Sequence, residues 1–238
     1  MLYAINSDSA KILATPKAHG TCPGCRADLI AKCGSIITWH WSHKWIPDCD
    51  SWYESESNWH LAWKAIADPN NCEVVIENIA IPGELRYHRA DIVSTTVVII
   101  ELQHSSLDPD TVTERETFYK KMIWLIDATP FIERISFRNK GNYHTFRWDH
   151  IRKWMLSINA PLYWDIGDEY PEQLFHVKKL NSNQSAGYHV AHNIHGRTFG
   201  YKVKGIPAGG WGYFVSKQEF INTHLITPSL PESIYQEE

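Results

Sequence analysis

The chain has 238 residues, enough for one large or two small domains with a real core. Its net charge of −4 excludes a highly basic coat for non-specific nucleic-acid binding, but leaves room for a local basic groove. No run of about 18 apolar residues occurs, so no transmembrane helix or membrane partner is expected. MLYAINSDSAK is neither basic nor continuously apolar, so no signal peptide is expected either. Five unevenly spaced cysteines fit a reducing cytoplasm better than a disulfide scaffold.

Residues 2–6 (LYAIN) and 11–15 (KILAT) read as a small hairpin. The next stretch, TCPGCRADLIAKCGSIITWHWSHK, is rich in Cys, His and Gly. A helix is predicted to start near Glu54, with ESESNWHLAWKAIA at helical spacing and Pro69 ending it. Strands follow at 72–78, 85–93 and 96–104. DPDTVTERETFYKK carries Asp108 or Asp110 as N-cap, acids early and lysines late, and reads as a helix. MIWLID (122–127) and ERISFR (133–138) read as strands, and 147–157 as a helix holding Trp148 and Trp154. Further strands are expected at PLYWDI, LFHVKKL, TFGYKVK and WGYFVS.

Two constellations carry chemistry. Cys22-x2-Cys25 is followed by His40-x2-His43, two tight pairs of the kind a tetrahedral zinc site requires. Pro23 and Gly24 favour the tight turn of a cysteine knuckle. Cys33 or Cys49 could replace one of the histidines. Four protein ligands leave no open position, so the zinc would be structural and would supply much of the folding energy of a segment poor in large aliphatics.

The second constellation is acidic. Side chains alternate along a strand, so Val97, Ile99, Glu101 and Gln103 share one face, as do Arg89, Asp91 and Val93. If the turn has three central residues, Ser94, Thr95 and Thr96, Asp91 pairs opposite Ile99 and Glu101 is its diagonal neighbour, roughly 7–8 Å away, whereas a two-residue turn without a bulge would put the two acids on opposite faces. A divalent cation offsets the cost of two such carboxylates in an apolar sheet, and oxygen ligands favour Mg2+ or Mn2+ over zinc. Upstream, Glu56, His60 and Lys64 recur at i, i+4 and i+8 as one polar stripe. Glu56 could add a metal or water contact, and Lys64 could hold a phosphate.

These residues resemble the CoiA-like competence nucleases, a branch of the PD-(D/E)XK superfamily. The likeness lies in the ordered set CPGC, HWSH, CDSW, ESNWHLAWK, RYHRAD, VVIIELQHSSL and IWLID, continuing through FRWDHIRKW, PLYWDIGD, LFHVKKL and GYFVSKQEF. The resemblance implies a mixed α/β fold in three parts. These are a small zinc-binding module (1–50), a restriction-endonuclease-like core of mixed sheet flanked by helices (51–157), and a β-rich extension (158–238) packed on the core. It implies a divalent-metal-dependent deoxyribonuclease that leaves a 5′-phosphate and a 3′-hydroxyl. Asp91 matches the first acid of the superfamily pattern and Glu101 the second, with the Leu102 carbonyl as a further metal ligand. Glu56 matches the helix-borne acid, with His60 in an ExxxH arrangement. Arg115 and Tyr119 match the helix after the last acidic strand. Gln103 stands where the superfamily usually has Lys, and Gln cannot change protonation state. The general base is therefore open among Glu56, His60, Lys64 and a water on the metal.

DNA is the expected partner, with a recombination or defence-system protein as a further one. The densest basic stretch holds Arg134, Arg138, Lys140, Arg147, Arg152 and Lys153, and Lys178, Lys179, Lys202 and Lys204 add charge on later strands. Exposed Trp and Tyr could stack bases of a single strand, and Lys32 and Lys44 could bring the zinc module to DNA. The rival expectations are a DNA-binding module that has lost catalysis, and a zinc-stabilised interaction protein.

Overall fold

Short alternating runs dominate the chain, and sixteen strands and three α-helices are found among the described residues. The computed structural model describes residues 1–36, 38–45, 49–52, 56–77, 87–167, 170–182, 189–194, 197–202 and 208–226. The expected helix start at Glu54, the first two residues of the expected strand 85–93, and Lys204 lie outside them. Two units divide the chain: Met1–Ile100 with the segment from Gln218, and Glu101–Lys217.

The first unit opens with five strands: β1 (Tyr3–Ile5), β2 (Lys11–Leu13), β3 (His19–Thr21), β4 (Asp28–Lys32) and β5 (His40–His43). They form an antiparallel sheet in the order β2-β1-β3-β4-β5. The expected hairpin is β1–β2, with Ala4 across from Ile12. Ala4, Ala14, Leu29 and Trp41 pack with the thiols Cys22 and Cys49 into a small core. That core holds few aliphatic side chains, so burial alone stabilises it weakly.

Helix α1 (Asn58–Lys64) follows, then β6 (Cys72–Glu77) and β7 (Tyr87–Val93). Ser57 caps α1 in a capping box: its hydroxyl accepts from the His60 N–H while His60 Nδ1 accepts from the Ser57 N–H. The helix is therefore shorter than the sequence predicts, and Glu56 precedes it. β7 is antiparallel to β6 and to β8 (Ile99–Gln103), with Ile92 across from Ile100 and Val93 across from Ile99. The expected register, with Asp91 opposite Ile99, is not the observed one. The Ser94 N–H bonds the Val98 carbonyl, so the loop is Thr95–Val97, with Val97 at φ 58°. The Ser94 hydroxyl explains the choice, because it accepts from the backbone N–H groups of both Thr96 and Val98. Helix residues 218–224 return to this unit, where Phe220 meets the edge of buried Trp63 and the His224 carbonyl accepts from the Thr95 N–H.

The second unit holds the end of β8, then α2 (Pro109–Tyr119), β9 (Met122–Asp127), β10 (Ile135–Asn139), β11 (His144–Trp148), β12 (Leu162–Asp165), β13 (Gln173–Ser182), β14 (His189–Ile194), β15 (Arg197–Lys202) and β16 (Ala208–Ser216). Of the two expected caps, Asp108 is the one that caps α2, and Pro109 occupies its first turn. The sheet order here is β10-β11-β16-β13-β12-β9-β8, with β14–β15 a separate hairpin. β9 and β12 run parallel, while the pairs from β10 through to β12 are antiparallel, so the sheet is mixed. The residues expected to form an appended extension enter the middle of the sheet, since β16 lies between β11 and β13.

One face of this sheet is an aromatic core. Phe146 meets Trp164 and Phe175 at 5.0 and 5.7 Å, and Phe131 stacks on Trp148 at 4.5 Å. Gly210 and Gly212 allow a close approach of β13: a Cβ at Gly210 would clash first with the Lys179 carbonyl oxygen and one at Gly212 with the His176 carbonyl oxygen, and each would also come within 2.8 Å of the Phe146 or Phe175 ring. The helix expected over 147–157 is instead the end of β11 followed by a 3-10 turn, Lys153–Ser157. The alternation of Phe146 and Trp148 inward with Arg147 outward has period two, and it overrides the helical reading.

Candidate functional site

A metal-ligand cluster sits in the first unit. Cys22 follows β3, and the chain then turns sharply: the Arg26 N–H bonds the Cys22 carbonyl and the Cys22 N–H bonds the Ala27 carbonyl. This turn aims the Cys22 and Cys25 thiols together. Gly24 lies against Tyr87, whose ring would stand 2.8 Å from a Cβ there. β5 delivers His43, and the segment after it delivers Cys49. Cys22 Sγ lies 3.4 Å from Cys49 Sγ, and Cys25 Sγ 3.4 Å from His43 Nε2. All four ligand atoms lie within 4.8 Å of one another. Zinc with bonds of about 2.0–2.3 Å holds its tetrahedral ligands roughly 3.5–3.8 Å apart, so this Cys3His set fits zinc.

His40 is not a ligand of this cluster, and Cys49 takes the place expected for it. The reason is strand geometry. His40 and His43 are three residues apart on β5, so their side chains point to opposite faces. His40 Nδ1 lies 2.9 Å from the Thr38 carbonyl instead. Cys33, the other alternative, is also outside the cluster. Burial lowers the pKa of His43, with the Arg89 charge adding to the effect, which favours the neutral imidazole that a metal needs. Without metal, burial and the crowded Cys22 and Cys25 thiols push Cys49 up to about 12. A cation there would reverse that preference.

A second cluster in the same unit surrounds Lys64. Its Nζ is completely enclosed and lies 3.0 Å from Glu56 Oε1, 3.3 Å from Glu73 Oε1 and 3.0 Å from Asp91 Oδ1. Burial alone would lower the pKa of Lys64, but Asp91, Glu73 and Glu56 together hold it well above the usual range. Burial would raise that of Glu73, and Lys64 with a hydrogen bond from Glu56 holds it well below. Glu56 is pushed up to about 7 by burial first and by the Glu73 charge next.

Glu73 is the member of this cluster that the sequence reading missed. It lies between the pairs Cys72–Ile92 and Val74–Ala90, level with Asp91. Its two oxygens accept from the backbone N–H groups of Leu2 and Tyr3 at 2.8 and 3.0 Å. Its backbone sits at φ 49°, a left-handed conformation that costs about 1–3 kcal/mol outside glycine and persists only where the surroundings impose it. A glutamate inside the apolar run CEVVIE was the available signal.

In the second unit Glu101 is buried on β8, and its Oε2 accepts from Arg115 Nη1 of α2 at 2.9 Å. Arg115 also lies 5.9 Å from the Trp124 ring. Gln103 is buried too, and its Nε2 donates to the Ser105 carbonyl and hydroxyl. Leu102 between them is buried. Of the predicted basic residues, Arg138 and Arg147 share one face of β10–β11, through the pairs Arg138–Thr145 and Ser136–Arg147. Arg134 and Lys153 are exposed in separate 3-10 turns and are not part of that face.

The chain is thus a mixed α/β, sheet-rich protein with an N-terminal Cys3His cluster suited to zinc. Residues 6–51 match the family model for the N-terminal domain of competence protein CoiA, a span that contains all four ligands and ends before Glu56. No curated protein and no solved structure matches the chain. No helix among the described residues is long and apolar enough to cross a membrane.

Proposed function

We propose that the chain is a divalent-metal-dependent deoxyribonuclease acting in the cytoplasm, in DNA uptake and recombination or in antiviral defence. The observation that carries this reading is the enclosed Lys64 ammonium held against Asp91, Glu73 and Glu56. Gln103 stands where the superfamily usually has Lys and cannot supply a positive charge, and Lys64 stands 3.0 Å from Asp91. The strained backbone at Glu73 belongs to the same cluster, and such strain concentrates at functional sites. The likeness of residues 6–51 to the CoiA N-terminal domain supports the competence setting.

Mg2+ or Mn2+, held by Asp91, Glu101 and the Leu102 carbonyl, would supply Lewis-acid charge for the phosphate and acidify the attacking water. Lys64 stays protonated and is fully enclosed, so it serves to hold Asp91 in place rather than as the base. Glu56, with a pKa of about 7, is the group poised to take a proton near neutral pH. His60 Nδ1 is engaged in the helix cap, which favours a structural duty for that ring.

The test is cleavage of single-stranded, duplex and branched DNA and of RNA, with and without Mg2+ or Mn2+. The wild type is compared with Asp91→Ala and Glu101→Ala. Cleavage of DNA should require the metal and both acids. Activity surviving in Asp91→Ala would move the chemistry elsewhere. One observation favours a second reading, a DNA-binding module without catalysis: Asp91 and Glu101 each already pair with a cation, Lys64 and Arg115. Tight DNA binding with no cleavage in Mg2+ by the wild type would establish that reading.

A further inference from the structure

The second unit's sheet has a face opposite its aromatic core, and its composition is unlike that of an ordinary solvated surface. Register places Arg138, Thr145, Trp211 and Lys179 in one row across β10, β11, β16 and β13. The next row holds Tyr213, His176 and Tyr163 across β16, β13 and β12. Trp211 and Tyr213 adjoin on β16 with ring centroids 5.6 Å apart, and His176 stacks on Tyr163 at 4.1 Å and 24°. Four aromatic rings therefore run obliquely across three strands. Arg138 and Lys179 flank them, exposed, at the two ends of the first row, roughly three strand spacings or 14 Å apart. Arg147 and Asn181 extend the same face in a further row through Gly209, and neither row of rings and cations contains a carboxylate.

A bulge sharpens the pattern. Val177 pairs with Gly212 and Lys179 with Trp211, so Lys178 is an extra residue on β13, and both lysines are exposed. Without it, Lys179 would fall on the core face with Val177. The rings are partly exposed rather than sunk in a core. Burial, with the Lys178 charge, lowers the pKa of His176 to about 4, so the ring is neutral at physiological pH.

We propose that this face binds single-stranded DNA, with bases stacking on Trp211, Tyr213 and the His176–Tyr163 pair and phosphates running past Arg138 and Lys179. Ring faces beside cations match the alternation of base and phosphate in an unpaired strand, whereas a duplex hides its base faces. The choice of DNA rests on the nuclease reading; the platform itself is tested apart from it.

Binding is measured by fluorescence anisotropy on labelled oligothymidine of about 20 nucleotides, a matching duplex and oligouridine, with no divalent cation added, so that cleavage plays no part. Oligothymidine should bind at least tenfold tighter than duplex. Trp211→Ala should weaken it about tenfold or more, and Trp211→Phe less than about threefold. Arg138→Gln with Lys179→Gln, both exposed, should reduce the salt slope by about 1.4 while leaving the thermal midpoint unchanged, which keeps the test valid if Trp211→Ala misfolds. Unchanged binding and salt slope in that double variant, or duplex bound as tightly as single strand, overturns the platform. Oligouridine bound more tightly than oligothymidine overturns the assignment to DNA. Intact single-strand binding with no cleavage in Mg2+ overturns the nuclease reading alone.

Discussion

Asp50 Oδ1 lies 2.9 Å from His88 Nδ1, and Asp50 Oδ2 accepts from the Arg89 N–H at 2.9 Å, one residue after the metal-cluster ligand Cys49 and two residues before Asp91. A third bond comes from the Trp52 N–H, and the Trp52 ring stacks on His88. The carboxylate therefore ties the end of the zinc cluster to β7. Asp50→Ala should keep about one zinc per chain yet lower stability by about 1–3 kcal/mol in denaturant titrations. Stripping zinc from the wild type should reduce hydrogen-exchange protection of the Arg89 amide. Full protection after zinc removal would disprove the linkage.

The ligand set makes a second, sharper prediction. Cys22→Ser, Cys49→Ser and His43→Ala should each release zinc and lower the melting temperature, while His40→Ala should keep zinc by elemental analysis. The reverse result for the two histidines would mean that β5 presents its other face to the metal.

Lys64→Met should be severe. It leaves Glu56, Glu73 and Asp91 clustered without a counter-charge, and breaking a buried pair costs about 3–5 kcal/mol. Adding Glu73→Gln should recover part of that loss, because it removes the most enclosed of the uncompensated charges. Equal stability of wild type and Lys64→Met at pH 7 would show that the ammonium is not what holds these acids.

Glu56 gives a pH signature. Its pKa in the folded protein, about 7, lies above its ordinary value, so its protonated form stabilises the fold. That contribution is fully present below the ordinary carboxyl range and is lost as pH rises through about 7. Glu56→Gln should therefore match the wild type near pH 5 and exceed it at pH 8 by on the order of 1–3 kcal/mol. A gap independent of pH between 5 and 8 would refute the raised value. If Glu56 is also the base, the same variant should lose the rise of cleavage rate around neutral pH.

Much of this was open to a reader of the sequence. Cys22-Pro-Gly-Cys25 announced the metal knuckle, Asp108 or Asp110 announced a helix start, and short strand-like runs announced β6, β7, β9 and β13, because each signal is confined to a few neighbouring residues. What stayed hidden depended on pairing across long stretches of chain. Cys49 displaces His40 because β5 is a strand, and a strand turns residues three apart to opposite faces. Glu73 joins Lys64 because β1 brings the N–H groups of Leu2 and Tyr3 to its carboxylate. The row Arg138–Trp211–Lys179 exists only once β16 inserts between β11 and β13. The sequence by itself thus determined which chemical groups were available and the local elements that carry them. Tertiary structure alone decided which of those groups meet, since strand register is settled by burial and hydrogen bonding summed over the whole sheet.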